Sequence, residues 1–120
     1  MKKSLSLLLV FLAATAVFAQ MQSDMSAFLQ AMNSAMKRMD QGMSATQMSG
    51  DPDHDFTAMM MPHHQGAIDM AKVELKFGKD PVLRRLAQEI LADQQSEIDV
   101  MRLWLEKRAA HGAERGPTSK

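Results

Sequence analysis

The 120-residue chain contains no cysteine and no tyrosine, and it has a single tryptophan. Without cysteine there can be no disulfide, no thiolate site for zinc or iron–sulfur clusters, and no thiol nucleophile. Lysine plus arginine and aspartate plus glutamate number 14 each, so no excess of basic charge is available to hold nucleic acid. Six glycines, four prolines and few aromatic residues give little support to a β-sandwich or barrel. The length suits one small domain.

Residues 1–19 have the pattern of a cleaved signal peptide. Two lysines precede an apolar run from Leu5 to Val17, and about 13 residues are too few to span a bilayer at 1.5 Å per residue. Val17 and Ala19 place small residues at the −3 and −1 positions of a cleavage site, and the polar Gln20 follows. We expect cleavage after Ala19, a periplasmic or secreted location, and no membrane span in the mature chain. The alternative, an uncleaved anchor, lacks the positive cluster that stops transfer.

Methionine is the abundant residue, with 13 in the chain. Residues 20–50 are predicted to form a methionine-rich helix, because at 100° per residue six methionines fall within an arc of about 60°. These are Met21, Met25, Met32, Met36, Met39 and Met43. Such a stripe commonly fills a core, so by itself it does not indicate a metal.

Residues 51–108 are predicted to form a helical hairpin that shares one domain with residues 20–50. Its first helix starts at the acidic Asp53 and stops at Gly78, and its second starts with Asp80 as N-cap and Pro81 as first helical residue. Residues 109–120 contain Gly, Pro, Thr and Ser and are expected to be a flexible tail. The sequence therefore predicts an all-α fold, a small bundle with three main helices.

Histidine and methionine are combined around Pro62. Helical spacing places Met59 and Met60 four and three residues before His63, and Met60 four before His64, while Met70 is seven residues beyond His63. Thioether is a soft ligand and imidazole an intermediate one, so together they suit copper, above all Cu(I), or silver. Methionine also binds without losing a proton, which suits an oxidising, acid-prone compartment.

The last helix carries a related anomaly, because Gln94 and Glu97 fall within its apolar arc. An unpaired buried carboxylate is unfavourable, so Glu97 is expected to meet a histidine, a metal or a cation. One interpretation is that it orients a ligating imidazole through the other ring nitrogen. The alternatives stay open: Glu97 can reach solvent, and a histidine pair is often structural. The combination of export, methionine and paired histidines favours a soft-metal site.

Motifs of catalysis are missing from the sequence. There is no Glu-x-x-His pair of the di-iron bundles, no His-Glu-x-x-His, no Gly-x-Ser-x-Gly and no phosphate-binding glycine loop. We therefore expect that the protein is not an enzyme.

The run from Asp55 to Ala71, DFTAMMMPHHQGAIDMA, resembles the signature of the bacterial family labelled domain of unknown function 305. The resemblance extends over about residues 53–106. It implies a ferritin-like helical bundle and similarity to CopM-type periplasmic copper-binding proteins and metallochaperones. The residues that match the motif and its partner helix are His63, His64, Met59, Met60, Met70, Gln94, Glu97 and Met101. Longer members carry two His-His units, whereas this chain has one.

The predicted metal site follows from these patterns. His63 with Met59 and Met60 are the primary ligands, Met70, His64 and Met101 come next, and Glu97 is a ligand or the partner of one. A low-affinity array is expected at Met32, Met36, Met39 and Met43. His54 sits at a helix start, where a capping role is the commoner explanation.

We expect an exported protein that sequesters or delivers Cu(I), with Cu(II) and Ag(I) as further candidates, and that exchanges metal with a copper donor or acceptor protein. The alternative is a methionine-rich interaction or structural module without metal. The stripe of six methionines extends about 33 Å, more than a minimal three-helix core covers, so a twofold homodimer is predicted. The alternative is a monomer whose first helix packs on the others or is ordered by metal.

Overall fold

The structure, a computed structural model, describes the backbone of residues 2–114 and the side chains of residues 12–111. These residues form three helices and no strand: α1 (Lys2–Ser44), α2 (Pro52–Phe77) and α3 (Pro81–Glu114). The predicted all-α class is therefore confirmed, while the finer ferritin-like description stays a prediction. Within the described part of the chain, no helix is both long enough and apolar enough to cross a membrane.

Two aspartates start the second and third helices. The Asp51 carboxylate accepts hydrogen bonds from the backbone N–H groups two and three residues later, and Pro52 takes the first helical position, which needs no donor. The Asp80 carboxylate likewise accepts hydrogen bonds from the backbone N–H groups of Val82 and Leu83, at 2.8 and 3.0 Å, ahead of a helix that begins at Pro81. The start of α3 is thus as predicted, and α2 starts slightly before the predicted Asp53.

The two outer helices extend further than their patterns indicated. α1 is continuous from the signal-like segment through Ala19 into the methionine-rich part. α3 passes Arg108 and reaches Glu114, since the helical residues that follow Arg108 include three alanines, the strongest helix formers. The remainder of the expected flexible tail, residues 115–120, lies outside the described residues.

Both turns are held by side chains. Asp55 on α2 accepts hydrogen bonds from the backbone N–H and hydroxyl of Ser49, at 2.7 and 2.8 Å, and from the N–H of Gly50 at 3.0 Å. Gly50 has φ of 86°, a conformation that favours glycine. At the other turn, Arg84 donates to the carbonyl oxygens of Leu75 and Gly78, at 2.6 and 3.0 Å.

The central helix is α2, which packs against both of the others, whereas α1 and α3 do not approach one another within the described residues. Both contacts are antiparallel hairpins. Half of the six buried apolar residues are alanine, and none of the described large side chains is completely buried. The six are Ala35, Ile68, Ala71, Val73, Ala87 and Ile98. The arrangement is an open one in which much of each helix remains accessible.

Candidate metal centre

Two glycines fix how α1 lies on α2. A Cβ atom at Gly42 would lie 2.7 Å from the Cβ of Pro62, and one at Gly66 would lie 2.6 Å from the Cβ of Met39. Real Cβ contacts are longer than this, so the backbones can come this close only at glycine. The ion pair between Arg38 and Asp69, with bonds of 3.0 and 3.1 Å, continues the same antiparallel register.

This register joins the methionines of α1 to the histidine motif of α2. Gly66 on α2 and Met39 on α1 point at each other and mark the line of contact between the two helices. At 100° per residue, Met59 and His63 are turned about 20° and 60° around α2 from Gly66. Met43 is turned about 40° around α1 from Met39, in the same sense. In an antiparallel pair of helices, residues that are rotated in the same sense from the line of contact lie at the same edge of the interface. The register also places residue 63 at a level between residues 39 and 43. We call Met39, Met43, Met59 and His63 the α1–α2 cluster.

The α1–α2 cluster is accessible from solvent. Its three methionines are half-buried and His63 is exposed. Of the other α1 methionines in the predicted array, Met32 is half-buried and Met36 is 44% exposed. The register therefore brings Met39 and Met43 of this array to the level of His63, whereas Met36 and Met32 lie further along α1, beyond the level of Asp69.

His64 points to the opposite side of α2, turned about 160° from Gly66, and lies between α2 and α3. Its Nε2 atom is 2.7 Å from Oε2 of Glu97. The histidine side chain is 11% exposed and that of Glu97 57%. Glu97 thus meets a histidine, which is one of the three partners expected for it.

The other ring nitrogen of His64, Nδ1, is buried and has no hydrogen-bond partner. A carboxylate can only accept, so the Glu97 contact places a proton on Nε2 and leaves a lone pair on Nδ1 of the neutral ring. Buried polar atoms are normally paired. The Oε1 atom of Gln94, one helical turn from Glu97, is likewise buried without a partner.

The contact between His64 and Glu97 also sets which residues meet one turn away. Because α2 and α3 are antiparallel, Met60, four residues before His64, comes opposite Met101, four residues after Glu97. Both methionines are half-buried. We call Met60, His64, Glu97 and Met101 the α2–α3 cluster.

The sequence motif thus contains two pairs with the same spacing, Met59 with His63 and Met60 with His64. The pairs are offset by one residue, or about 100° around the helix, so each serves a different interface. The two imidazole rings are 6.1 Å apart between centroids and inclined by 62°. The single site expected from the sequence is therefore divided between two clusters, one on each side of α2.

Other candidate residues lie outside the two clusters. Met70 lines an apolar groove between α2 and α3 together with Leu83, Leu86 and Ile90. His54 lies at the start of α2, with Nδ1 3.2 Å from a carboxylate oxygen of Asp55. This position agrees with the expectation of a residue near a helix cap.

No three histidine, aspartate or glutamate side chains come together among the described residues. Any metal held by the two clusters would accordingly take thioether ligands alongside imidazole, the donor set that suits soft ions. Sequence reasoning missed the part played by Gly42 and Gly66. Their signal was present, because each is a small residue on the face of its helix that carries the neighbouring contacts.

These features define a small all-helical domain with methionine and histidine on both sides of its central helix. The chain belongs to the family described as Domain of unknown function (DUF305), whose profile matches residues 12–105, which confirms the resemblance found in the sequence. The chain is also similar to the uncharacterized protein L153 of Acanthamoeba polyphaga mimivirus, with 39% identity over 56 residues. The match covers 47% of this chain and 37% of the viral protein, so the chain matches well under half of that relative's length.

Proposed function

We propose that the protein is an exported copper-binding protein, similar to the CopM type, that sequesters Cu(I) or delivers it within the cell envelope. The observation that supports this most directly is His64. Its ring is held by Glu97, and its second nitrogen is buried with no partner in an interface that also contains Met60 and Met101. A bound soft metal ion would satisfy that nitrogen, which is otherwise unfavourably placed.

The residues present fit the chemistry of Cu(I). Each cluster offers one imidazole and two or three thioethers, ligands that favour Cu(I) and Ag(I) over hard cations and that accept Cu(II) mainly through imidazole. Glu97 fits the role of a residue that orients and polarises a ligating imidazole. The chain's own contribution is to hold these donors on helices.

The two clusters differ in access, and this suggests a division of roles. The exposed His63 in the α1–α2 cluster suits exchange with a copper donor or acceptor protein. The buried His64 in the α2–α3 cluster suits retention. Export, periplasmic location and the absence of enzymatic activity are part of the same proposal.

The test is a competitive Cu(I) titration under anaerobic conditions, with Ag(I) as a redox-inert second probe. Replacing His63 and His64 together by Ala is expected to weaken Cu(I) binding at neutral pH with little loss of helicity. The matched control replaces His54 and His111, which lie outside both clusters. Unchanged affinity in the first variant, or equal weakening in the control, would contradict the assignment.

Glu97→Gln isolates the positioning role, because the amide can still reach His64 but carries no charge. Loss of such a partner typically weakens metal binding about 10- to 100-fold. We expect a loss in that range for one class of site, with the other class unaffected. Equal affinity to wild type would show that Glu97 only stabilises the fold.

The second candidate, a methionine-rich interaction module, is favoured by one observation: Met21, Met25 and Leu29 are more than half exposed along one stripe of α1. Such a stripe can dock a partner helix. The titration separates the two proposals, because the interaction module binds neither Cu(I) nor Ag(I) above background.

A further inference from the structure

The part of α1 that packs on α2 begins at Phe28. The ring of Phe28 meets the ring of Phe77, the last residue of α2, edge-on with 6.0 Å between centroids. The contact of Met39 with Gly66 leads to the same pairing, because residues 28 and 77 each lie eleven positions from it in the antiparallel register. Beyond this level α2 has ended, and α3 does not approach α1 within the described residues.

The residues of α1 before Phe28 therefore form an extension without a neighbouring helix. We call residues 12–27 the N-terminal extension. Every side chain in it is exposed, and its side-chain hydrogen bonds join only residues of the extension itself. A helix without tertiary packing is marginal in water. The expected cleavage site after Ala19 lies in this extension, so the helix can open there without disturbing the contact between α1 and α2.

Gln20, which follows the cleavage site, has few constraints in the structure. Its side-chain amide donates a hydrogen bond of 2.8 Å to a carboxylate oxygen of Asp24, one turn further along the same helix. Both residues are exposed, and an exposed pair at this spacing is weak. Once cleavage frees the backbone nitrogen of Gln20, the side-chain amide can leave Asp24 and turn back toward that nitrogen.

We propose that Gln20 is a modification site, at which the α-amino group released by cleavage attacks the side-chain amide and leaves pyroglutamate at the start of the mature chain. A bond forms between the α-nitrogen and Cδ, and the bond between Cδ and Nε2 breaks. The proton that the amine loses departs with Nε2 as ammonia, so no oxidant, reductant or co-reactant is needed. Both groups belong to one residue, and such proximity strongly favours closure of the five-membered lactam. The inference rests on the export part of the proposed function.

The modification removes a charge from an unfavourable position. After cleavage Gln20 begins the shortened α1, and the N-terminus of a helix carries a partial positive charge. An α-ammonium group at that end is repelled, whereas the carboxylate of Asp24, the first charged side chain of the mature chain, is attracted. The lactam is neutral, so cyclisation leaves only the favourable charge near this end of the helix.

Cyclisation also protects the two methionines that follow. Met21 and Met25 are 66% and 58% exposed, and proteolysis concentrates at chain ends that are not held by packing. An aminopeptidase acts on a free α-amino group, which pyroglutamate lacks. The modified chain therefore keeps both thioethers, which belong to the predicted methionine stripe of α1.

The test is intact-mass spectrometry of the full chain, expressed with residues 1–19 and recovered from the periplasm of a bacterial host. We expect a chain that starts at residue 20 and whose mass is lower by one ammonia, either at recovery or after incubation at neutral pH. Peptide mapping should place the loss at Gln20 and not at Gln22, which has no free amine. The matched control is Gln20→Ser, which keeps the amine but has no amide to attack, so its mass is expected to stay constant.

Digestion with an aminopeptidase gives a second measurement. The wild type is expected to resist, whereas Gln20→Ser should lose Met21 and the residues after it one at a time. Trimming of both proteins alike, or a loss of ammonia in both alike, overturns the proposal.

The outcomes separate this inference from the proposed function. A chain that starts at residue 20 and keeps its full mass after prolonged incubation overturns the modification and leaves export standing, as does cleavage at another position. An uncleaved chain overturns the modification and contradicts export as well. The Cu(I) titration tests the copper role independently of all three results.

Discussion

Gly66→Ala tests the close contact on which the α1–α2 cluster depends. The added Cβ would lie 2.6 Å from the Cβ and Cγ atoms of Met39 and 2.7 Å from its sulfur. Rotation of the methionine can move the sulfur and Cγ, but its Cβ is fixed to the backbone of α1. The substitution therefore forces the two helices apart.

Two opposing contributions set the size of the effect. Over-packing of an interior contact costs about 1–3 kcal/mol, while replacing glycine by alanine within a helix stabilises it by about 1 kcal/mol. We expect a net destabilisation of about 1 kcal/mol, which lowers the melting temperature of a domain of this size by about 4–8 °C.

Thermal and urea unfolding followed by far-UV circular dichroism measure this effect. Gln65→Ala is the control, because the neighbouring residue is exposed and alanine there meets no helix. It is expected to leave stability unchanged or slightly raised. An increase in the melting temperature of Gly66→Ala would refute the reasoning, since helix propensity alone would then account for the result.

Three further predictions concern the helix ends. Asp80→Ala removes the N-cap of α3 and is expected to destabilise the protein by about 1 kcal/mol, measured by urea unfolding; no change would contradict the cap. Arg84→Met removes two hydrogen bonds to carbonyl oxygens and is expected to cost about 1–2 kcal/mol by the same assay. The backbone N–H of Ser49 and then its hydroxyl hold the pKa of the Asp55 carboxyl well below its usual range. This stabilisation is complete above the pKa of the unfolded chain, about 3.9, and declines as pH falls below it. The difference in melting temperature between wild type and Asp55→Asn should therefore be constant near neutral pH and shrink below about pH 4, and a difference that grows toward acid would have the wrong sign.

The helices were predictable because their signals are local. Asp80 followed by Pro81 specifies a helix start without reference to the rest of the chain, and the structure has it at that position. The end of α3 was placed too early because sequence periodicity fades where a helix no longer packs on a neighbour. Residues 109–111 are exposed, yet the helix propensity of the alanines after Arg108 is high enough to continue the helix.

The register between helices was not predictable in the same way. Periodicity identifies which face of a helix is apolar, but not which residue on that face meets which residue of a neighbour. Here that choice depends on two glycines, Gly42 and Gly66, whose missing side chains make room for Pro62 and Met39. A glycine within a helix usually lowers the stability of that helix. Its role in allowing a close helix contact can therefore be recognised only when the position of the second helix is known.

The paired histidines show what residue spacing within one helix can predict and what it cannot. The spacing of four residues puts Met59 on the same helix face as His63, and Met60 on the same face as His64, because it is a property of one helix. It cannot say that adjacent histidines face different neighbours until those neighbours are known. Once α1 and α3 lie on opposite sides of α2, a rotation of about 100° per residue separates the two pairs. His63 then remains exposed beside the methionines of α1, and His64 is buried against Glu97. One short motif can thus supply two interfaces, and a substitution at either histidine should be assessed against the helix that it faces.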